Sequence, residues 1–395
     1  MKRILPLIIL TIIFFVSACN KTNLKPEQKD FFIKLFGSSS LDYGVDVKQT
    51  DDGYILLSTT TTIADQGTDI VLIKTNEYGN EQWSITYGDT LNDYANSVVV
   101  NADGSYTLLG TKTVDNNSMY EDLFIAKVSN NGDKQWEKQI SITNKQSGKC
   151  IKQTSDGGYI IVGSTTANNN TDVYLIRTDQ TGDTLWTKNF GGIYDDIAND
   201  VLQKSDDGFV IIGSTKSFPT LSQNNNVIVI ETNANGIISN APQYSQLQGA
   251  EGQNIKALPD GSGYMLTGTI LNGKNGKRDV FLAKISSNIS NFEWKKEFGG
   301  SADDIGNALQ ITNDNEIAII GTTQSYNDGS KDMYFIKTDN SGNEIITQTF
   351  GGVGIEEGNN IFNTSNDGFI IIGSSEVEGN KMICLVKTDE LGNLN

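Results

Sequence analysis

One short sequence is repeated seven times along this chain of 395 residues. It is clearest as SDDGFVIIGST at 205–215, a polar turn followed by an apolar run. A period near 50 residues is typical of propellers and solenoids, so the repeat predicts one domain where length alone would suggest two or three. Aligned on the residue after the turn, the copies fall at steps of 52, 53, 50, 55, 53 and 52 residues, at Tyr54, Tyr106, Tyr159, Phe209, Tyr264, Ile317 and Phe369.

Each repeat contains four short segments that can form β-strands. In the fourth repeat they are DVLQKS at 200–205, FVIIGST at 209–215, NVIVIET at 226–232 and a last segment after a Gly turn. The second and third segments are nearly continuous apolar runs bounded by Gly and Asp, which is typical of strands buried on both faces. Helical periodicity is absent from the sequence. The repeat therefore predicts an all-β fold of sheets packed between sheets.

The two ends of the chain favour a closed ring over an open rod. After the final Gly turn at Gly392 the chain is one strand short of a complete repeat, and FIKLFG at 32–37 matches WTKNFG at 186–191 position for position. An N-terminal strand that completes the last sheet leaves no open edge. We expect seven blades of four antiparallel strands, closed by this strand.

The repeat resembles a known family of folds. The unit W-x-x-x-F-G-G, then D-D-x-A, then D-G-G-Y-I-I-x-G-S-T is similar to the seven-bladed β-propeller repeats of bacterial envelope proteins, over residues 31–395. The segment from Asp179 to Trp186 also resembles the quinoprotein repeat. In strand order the unit resembles WD-repeat propellers, which implies that the variable loops and the chain termini lie on opposite faces. Such repeats occur in enzymes, binding proteins and scaffolds alike, so the resemblance does not fix a function.

The N-terminus has the pattern of an export signal. Lys2 and Arg3 precede an apolar or small run from Ile4 to Ala18, too short to span a bilayer. The last residues of that run, with Cys19, resemble the lipobox of bacterial lipoproteins, which implies cleavage before Cys19 and lipidation of its thiol. We expect a signal peptide at 1–18, a lipidated tether at 19–30 and a location in the cell envelope. Asn20 favours the outer membrane over the inner one.

Composition excludes several classes of function. The formal net charge is −18, so nucleic acid is not an expected partner. The chain contains no His, and beyond the signal its Arg residues are Arg177 and Arg278, which removes His-based triads and His-containing zinc sites. On this ground the sequence predicts that the protein is not an enzyme. Cys150 and Cys384 fall in different blades and are expected as buried free thiols.

One position at the start of each inner strand is polar in most blades and is expected to face the central channel. Our hypothesis is that this ring binds a small polar or cationic ligand; a water-filled channel without any ligand would need the same residues. The ring consists of Asp46, Ser97, Cys150, Asp200, Asn254, Ala308 and Asn360, and the ligand-binding residues predicted from it are Asp46, Ser97, Asp200, Asn254 and Asn360.

Acidic loops on the face that is expected to carry the variable loops are candidates for a metal site. The pairs Asp195 with Asp196 and Asp303 with Asp304 supply oxygens of the kind that Ca²⁺ takes. The alternative is that each Asp caps its own turn by accepting backbone N–H groups. Apart from Ca²⁺, no cofactor is expected.

These observations predict a membrane-anchored, monomeric propeller that binds or scaffolds a protein or glycan of the cell envelope. Two alternatives stay open: a propeller enzyme that acts on glycans with paired carboxylates, and a purely structural envelope protein. The polar loops between the second and third strands differ between blades and are where recognition of a partner could reside.

Overall fold

The computed structural model describes residues 30–37, 41–61, 67–115, 120–141, 145–167, 170–217, 225–241, 244–326 and 329–394. These residues form 28 β-strands and one short 3-10 helix, Ser245–Leu247. The strands make seven four-stranded sheets with antiparallel pairing throughout. Within these ranges there is no helix that is long and apolar enough to cross a membrane. The predicted signal peptide, Cys19 and the tether up to residue 29 lie outside the described residues.

Each blade begins with its innermost strand, which is followed along the chain by its second strand. The innermost strands are β2 (Asp42–Thr50), β6 (Asp93–Val100), β10 (Lys145–Gln153), β14 (Asp196–Gln203), β18 (Ala250–Ala257), β22 (Asp304–Ile311) and β26 (Glu356–Asn363). The second strands are β3 (Gly53–Thr61), β7 (Tyr106–Thr113), β11 (Tyr159–Ala167), β15 (Phe209–Thr215), β19 (Gly263–Ile270), β23 (Ile317–Thr323) and β27 (Phe369–Val377).

The third and outermost strands complete each blade. The third strands are β4 (Thr68–Asn76), β8 (Glu121–Val128), β12 (Asn170–Thr178), β16 (Asn226–Thr232), β20 (Asp279–Ser286), β24 (Asp332–Thr338) and β28 (Asn380–Thr388). The outermost strands are β5 (Glu81–Tyr87), β9 (Lys134–Ile140), β13 (Thr184–Phe190), β17 (Ile238–Asn240), β21 (Phe292–Phe298), β25 (Glu344–Phe350) and, for the seventh blade, β1 (Phe32–Phe36).

The seventh blade confirms the predicted closure. Its strand order is β1-β28-β27-β26, so the N-terminal strand is the outermost strand of the last sheet. β1 pairs antiparallel with β28, from Phe32 opposite Lys387 to Phe36 opposite Ile383. The molecule is therefore a closed seven-bladed β-propeller.

Aromatic side chains pack across several of the contacts between neighbouring blades. Trp83 of blade one lies 6.1 Å, between ring centroids, from Tyr106 of blade two, and Trp186 of blade three lies 6.1 Å from Phe209 of blade four. At the closure Phe32 takes the place of the Trp, 6.5 Å from Tyr54 of blade one. The recurrent Trp of the sequence therefore packs blades together, as its size predicts.

The two faces of the ring differ. On one face, called here the loop face, the inner strands begin and the second strands end, so Asp42 pairs with Thr60. On the other, called the turn face, lie the short DDG-type turns. β1 begins beside Lys387, near the turn-face end of β28, and runs toward the loop face. The chain therefore enters the ring from the turn face, opposite the variable loops.

Every innermost strand carries a β-bulge at the same place. In blade one the register shifts between Gly44 and Asp46, so Val45 has no partner on β3. A bulge leaves one residue unpaired and bends the strand. The unpaired residues of the seven blades are Val45, Asn96, Lys149, Asn199, Gln253, Asn307 and Asn359.

Candidate functional site

The bulges border a cavity in the central channel. Its volume is about 340 Å³, and all seven unpaired bulge residues line it together with all seven residues of the predicted ring. Ala95 completes the wall together with Lys48 and Lys152, which lie two residues beyond Asp46 and Cys150 on their strands. The structure therefore brings the predicted ligand-binding residues together at one site, whose volume is in the range of small-molecule sites.

Asp46 is the centre of one hydrogen-bond network in this wall. Its side chain is buried and accepts hydrogen bonds from the Ser97 hydroxyl at 3.1 Å, the Val98 backbone N–H at 2.8 Å and the Asn360 amide at 2.6 Å. Lys48 forms an ion pair with the same carboxylate. Three of the predicted residues thus link blades seven, one and two.

Asp200 is the centre of a second network across the channel. It accepts hydrogen bonds from the Asn254 amide at 2.6 Å, the Ile255 backbone N–H at 3.2 Å and the Cys150 thiol at 3.1 Å. The Lys152 ammonium lies 3.5 Å from the carboxylate. Burial raises the pKa of Cys150 to about 12, so this thiol stays protonated. Asp46 and Asp200 therefore both join neighbouring blades, and their oxygens are largely occupied by protein groups.

The bulge residues add a ring of amides above the two aspartates. The side-chain N–H groups of three Asn residues donate to a Gly carbonyl oxygen of the next blade, each at 2.7 Å: Asn199 to Gly252, Asn307 to Gly358, and Asn359 to Gly44 across the closure. This leaves the amide oxygens of these side chains as acceptors beside the cavity.

Lysine side chains give the site its net charge. Lys48, Lys149 and Lys152 line the cavity, and Lys256 lies two residues beyond Asn254, near Lys152 and Asp200. Neither Lys149 nor Lys256 has an ion pair among the described residues. Four lysines thus surround two aspartates, inside a protein with a formal net charge of −18.

These charges shift one another's pKa values. Burial lowers the pKa of Lys256, Lys152 lowers it further, and it falls to about 8. Burial also lowers the pKa of Lys149. Burial would raise the pKa of Asp200, but Lys152 and Lys256 outweigh this effect and hold the pKa below its ordinary value. At neutral pH Asp200 is therefore ionised, while Lys256 is close to losing its proton.

The sequence analysis did not predict that the bulge residues and the lysines belong to this site. The signal for the lysines was present, since Lys48, Lys152 and Lys256 follow Asp46, Cys150 and Asn254 at the same spacing of two residues. Alternation of side chains along a strand places such residues on the same side. The bulges left no comparable signal, because an extra residue in one strand is visible only against its partner strand.

The acidic loops hold their carboxylates close to backbone N–H groups. Asp196 accepts from the Gly192 N–H at 2.8 Å, and Asp304 accepts from the Gly300 N–H at 2.7 Å and the Ser325 hydroxyl at 2.7 Å. Asp195 pairs with Lys216 at 3.0 Å, and the backbone carbonyl of Asp303 accepts the Gln324 N–H at 3.0 Å. Within the described ranges no three His, Cys, Asp or Glu side chains are placed to share a metal ion. Calcium binding stays a prediction.

The variable loops can be compared only in part. The central residues of most of them, at 62–66, 116–119, 168–169, 218–224 and 327–328, lie outside the described residues. Their part in recognising a partner stays a prediction.

Comparison with known proteins identifies the fold and no family. No protein-family profile and no curated protein matches the chain. Among solved structures, an ulvan lyase from a new family of polysaccharide lyases aligns with a TM-score of 0.58 at 9% identity, covering 91% of this chain and 97% of that one. The β-propeller domain of the Trilobed protease from Pyrococcus furiosus, described as having an open velcro topology, aligns with a TM-score of 0.53 at 10% identity, covering 91% and 97%.

This comparison corrects the prediction that the protein is not an enzyme. One similar structure is an enzyme and the other is a domain of one, so this fold also occurs in enzymes. The prediction rested on the absence of His and the scarcity of Arg, and this ground is insufficient. A lysine whose pKa is lowered by burial and by neighbouring cations can also exchange a proton near neutral pH, and Lys256 is such a residue.

Proposed function

We propose that this protein is a lipid-anchored propeller of the cell envelope whose central channel binds an acidic sugar of an envelope glycan. The observation that carries the proposal is the group of lysines in the channel of an otherwise acidic protein. Lys149 and Lys256 have no ion pair among the described residues, whereas Lys48 and Lys152 are balanced by Asp46 and Asp200. A carboxylate in the cavity would complete the charge balance of the site.

The amides around the cavity suit the rest of such a ligand. Hydroxyl groups both donate and accept hydrogen bonds, and side chains such as Asn96, Asn199 and Asn307 offer the complementary groups. Lysine binds an anion as a point charge and needs no fixed geometry around it. The predicted anchor at Cys19 would tether the turn face, because the chain enters the ring there, and the loop face would point away from the membrane.

Calorimetric titration of the protein with glucuronate, and with glucose as the neutral control, tests the proposal. We expect glucuronate to bind and glucose to bind about tenfold more weakly or not at all. Lys256→Met should weaken glucuronate binding about tenfold, whereas Lys134→Met, on the exposed outer strand β9, should leave it unchanged. Affinity should also fall as the pH rises through about 8, where Lys256 loses its charge. Equal binding of both sugars would refute the proposal, and so would glucuronate binding by Lys256→Met that is as tight as that of the wild type.

A second candidate function is eliminative cleavage of the same acidic glycan. The lowered pKa of Lys256 favours it, since a neutral amine in the site can act as a general base. Its nitrogen would take the proton α to the sugar carboxylate, the electron pair would form a carbon–carbon double bond, and the bond to the leaving oxygen would break. Water would supply the proton to that oxygen. Lysines close to the carboxylate would stabilise the charge that develops on it.

Ultraviolet absorbance of the unsaturated product tests this second function on uronate-containing polysaccharides. At saturating polysaccharide we expect wild-type protein to generate the absorbance at a rate that rises with pH through about 8, and Lys256→Met to lose it. Binding of glucuronate without any such product would retain the binding function and exclude the eliminative one.

A further inference from the structure

The contact between blades six and seven differs from the other contacts between neighbouring blades. Cys384 of β28 faces blade six and is buried there. It pairs with Gly373 of β27, and the residues in the same place in the other blades are larger. These residues are Val71, Phe124, Tyr174, Ile228, Phe281 and Tyr334.

A groove opens where the larger side chain is missing. Its volume is about 450 Å³, and its wall includes Met333 and Phe350 of blade six and Cys384 and Val386 of blade seven. At the contact between blades five and six this space is filled by Tyr334, whose ring lies 5.3 Å from that of Tyr326. We call the empty space the 6/7 pocket; it is apolar because core side chains of both blades line it.

The 6/7 pocket is bordered by carboxylates. Glu356 is 7% exposed, and it accepts hydrogen bonds from the Ser375 hydroxyl at 3.0 Å and the Gly352 N–H at 3.2 Å. Glu376 and Glu378 lie on the same border. Among the described residues, none of the three forms an ion pair with a Lys or Arg. The pocket therefore combines an apolar wall with negative charge.

The contact between blades one and two shows which side-chain groups occupy the corresponding place elsewhere in the molecule. There the ammonium of Lys112 lies 4.6 Å from the centroid of the Phe124 ring and 3.9 Å from the Asp93 carboxylate. In the 6/7 pocket Glu356 stands in the place of Asp93, opposite Ser375 in the place of Lys112. The carboxylate is kept, whereas the ammonium and the aromatic ring are both missing.

We propose that the 6/7 pocket binds a small organic amine, with an apolar or aromatic body beside Phe350 and Cys384 and its ammonium group beside Glu356. Such a molecule supplies the two groups that Lys112 and Phe124 supply between blades one and two. An ammonium close to both a carboxylate and an aromatic face is attracted by each of them. The neutral thiol of Cys384 adds apolar surface, because burial raises its pKa to about 12.

Titration calorimetry with 2-phenylethylamine tests the site, with 2-phenylethanol and phenylacetate as matched neutral and anionic probes. We expect the amine to bind with a Kd of about 1 mM or tighter, the alcohol to bind about tenfold more weakly, and phenylacetate not to bind. Glu356→Gln should weaken amine binding about tenfold.

Substitution of Cys384 tests whether the amine binds in the 6/7 pocket rather than elsewhere on the protein. Cys384→Phe should fill the groove, abolish amine binding and raise the Tm by about 1–4 °C, whereas Cys384→Ser should leave binding intact. Unchanged amine binding by Cys384→Phe would overturn the proposal. So would binding of phenylacetate as tight as that of the amine. A third result would also overturn it: no amine binding, together with self-association of the wild type that Cys384→Phe abolishes.

Discussion

Buried carboxyl groups face one another where neighbouring blades meet near the loop face. Asp93 of blade two is fully buried, and Asp69 of blade one raises its pKa through its negative charge. Asp172 and Asp196 form the same kind of pair between blades three and four. Burial is the main cause that raises the pKa of Asp93 to about 6. The charges of Asp89 and Asp69 raise it further, whereas Lys112 lowers it. These single residues therefore make the stability of the ring depend on pH.

Asp93→Asn tests this dependence. In the folded protein Asp93 binds its proton more tightly than in the unfolded chain, so its contribution to stability falls as the pH rises from about 4 to about 6. Above that range the buried charge costs about 1–3 kcal/mol, and Asn removes this cost. We expect urea unfolding to show Asp93→Asn more stable than wild type by about 1–3 kcal/mol at neutral pH, with the gain lost near pH 4.

The exposed Asp133 of blade two provides the control, because Asp133→Asn should show neither the gain nor its pH dependence. A loss of stability in Asp93→Asn of equal size at both pH values would mean that the effect does not depend on the ionisation of this carboxyl group. The pH-dependent account would then be wrong.

At the scale of strands, the bulge of each innermost strand is the element that builds the candidate site. It adds one residue to the channel wall in every blade and places four Asn side chains there. Three of these hold the next blade through its Gly carbonyl, so the same element binds blades together and borders the cavity. Fold and site are thus coupled through one irregularity of the strand.

Asn359→Ala tests the contribution of such an element at the ring closure. The Asn359 amide donates to the Gly44 carbonyl oxygen of blade one at 2.7 Å, and its loss should cost about 0.5–1.5 kcal/mol in free energy of unfolding. Gln253 holds the same position in blade five without such a bond among the described residues, so Gln253→Ala should change stability by less than about 0.5 kcal/mol. Equal losses for both variants in urea titrations would assign the effect to packing.

Sequence predicted the regular elements and missed the irregular ones for a physical reason. Strands and turns follow from local patterns of apolar, Gly and Asp residues. The closure followed from the match of 32–37 to 186–191. The bulges and the 6/7 pocket depend on how one strand or blade lies against another. In the sequence Cys384 therefore looked like an ordinary small core residue. The space beside it is visible only in the structure, by comparison with Phe124 and Tyr334 at the corresponding position of blades two and six.

For the whole molecule, the distribution of charge separates the outside from the channel. The chain is strongly acidic, and its exposed carboxylates keep anions at a distance. The lysines of the channel reverse this sign locally. An anionic ligand would thus be attracted at short range only, and its binding should be specific to the channel rather than spread over the surface.

The ring is closed by one strand of five residues, β1, and a covalent link there tests how far the whole molecule depends on it. Leu35 of β1 is the cross-strand partner of Cys384 on β28. Such partners lie about 4.5–5.5 Å apart between Cα atoms, which suits a disulfide. In Leu35→Cys we expect oxidation to join the two thiols and to stabilise the protein by about 2–4 kcal/mol, since the bond closes a loop that spans nearly the whole chain. Scanning calorimetry should show a higher Tm that a reducing agent reverses, and Leu35→Ser should show no such change. If the oxidised and reduced forms of Leu35→Cys unfold at the same temperature, release of β1 is not the step through which the ring opens.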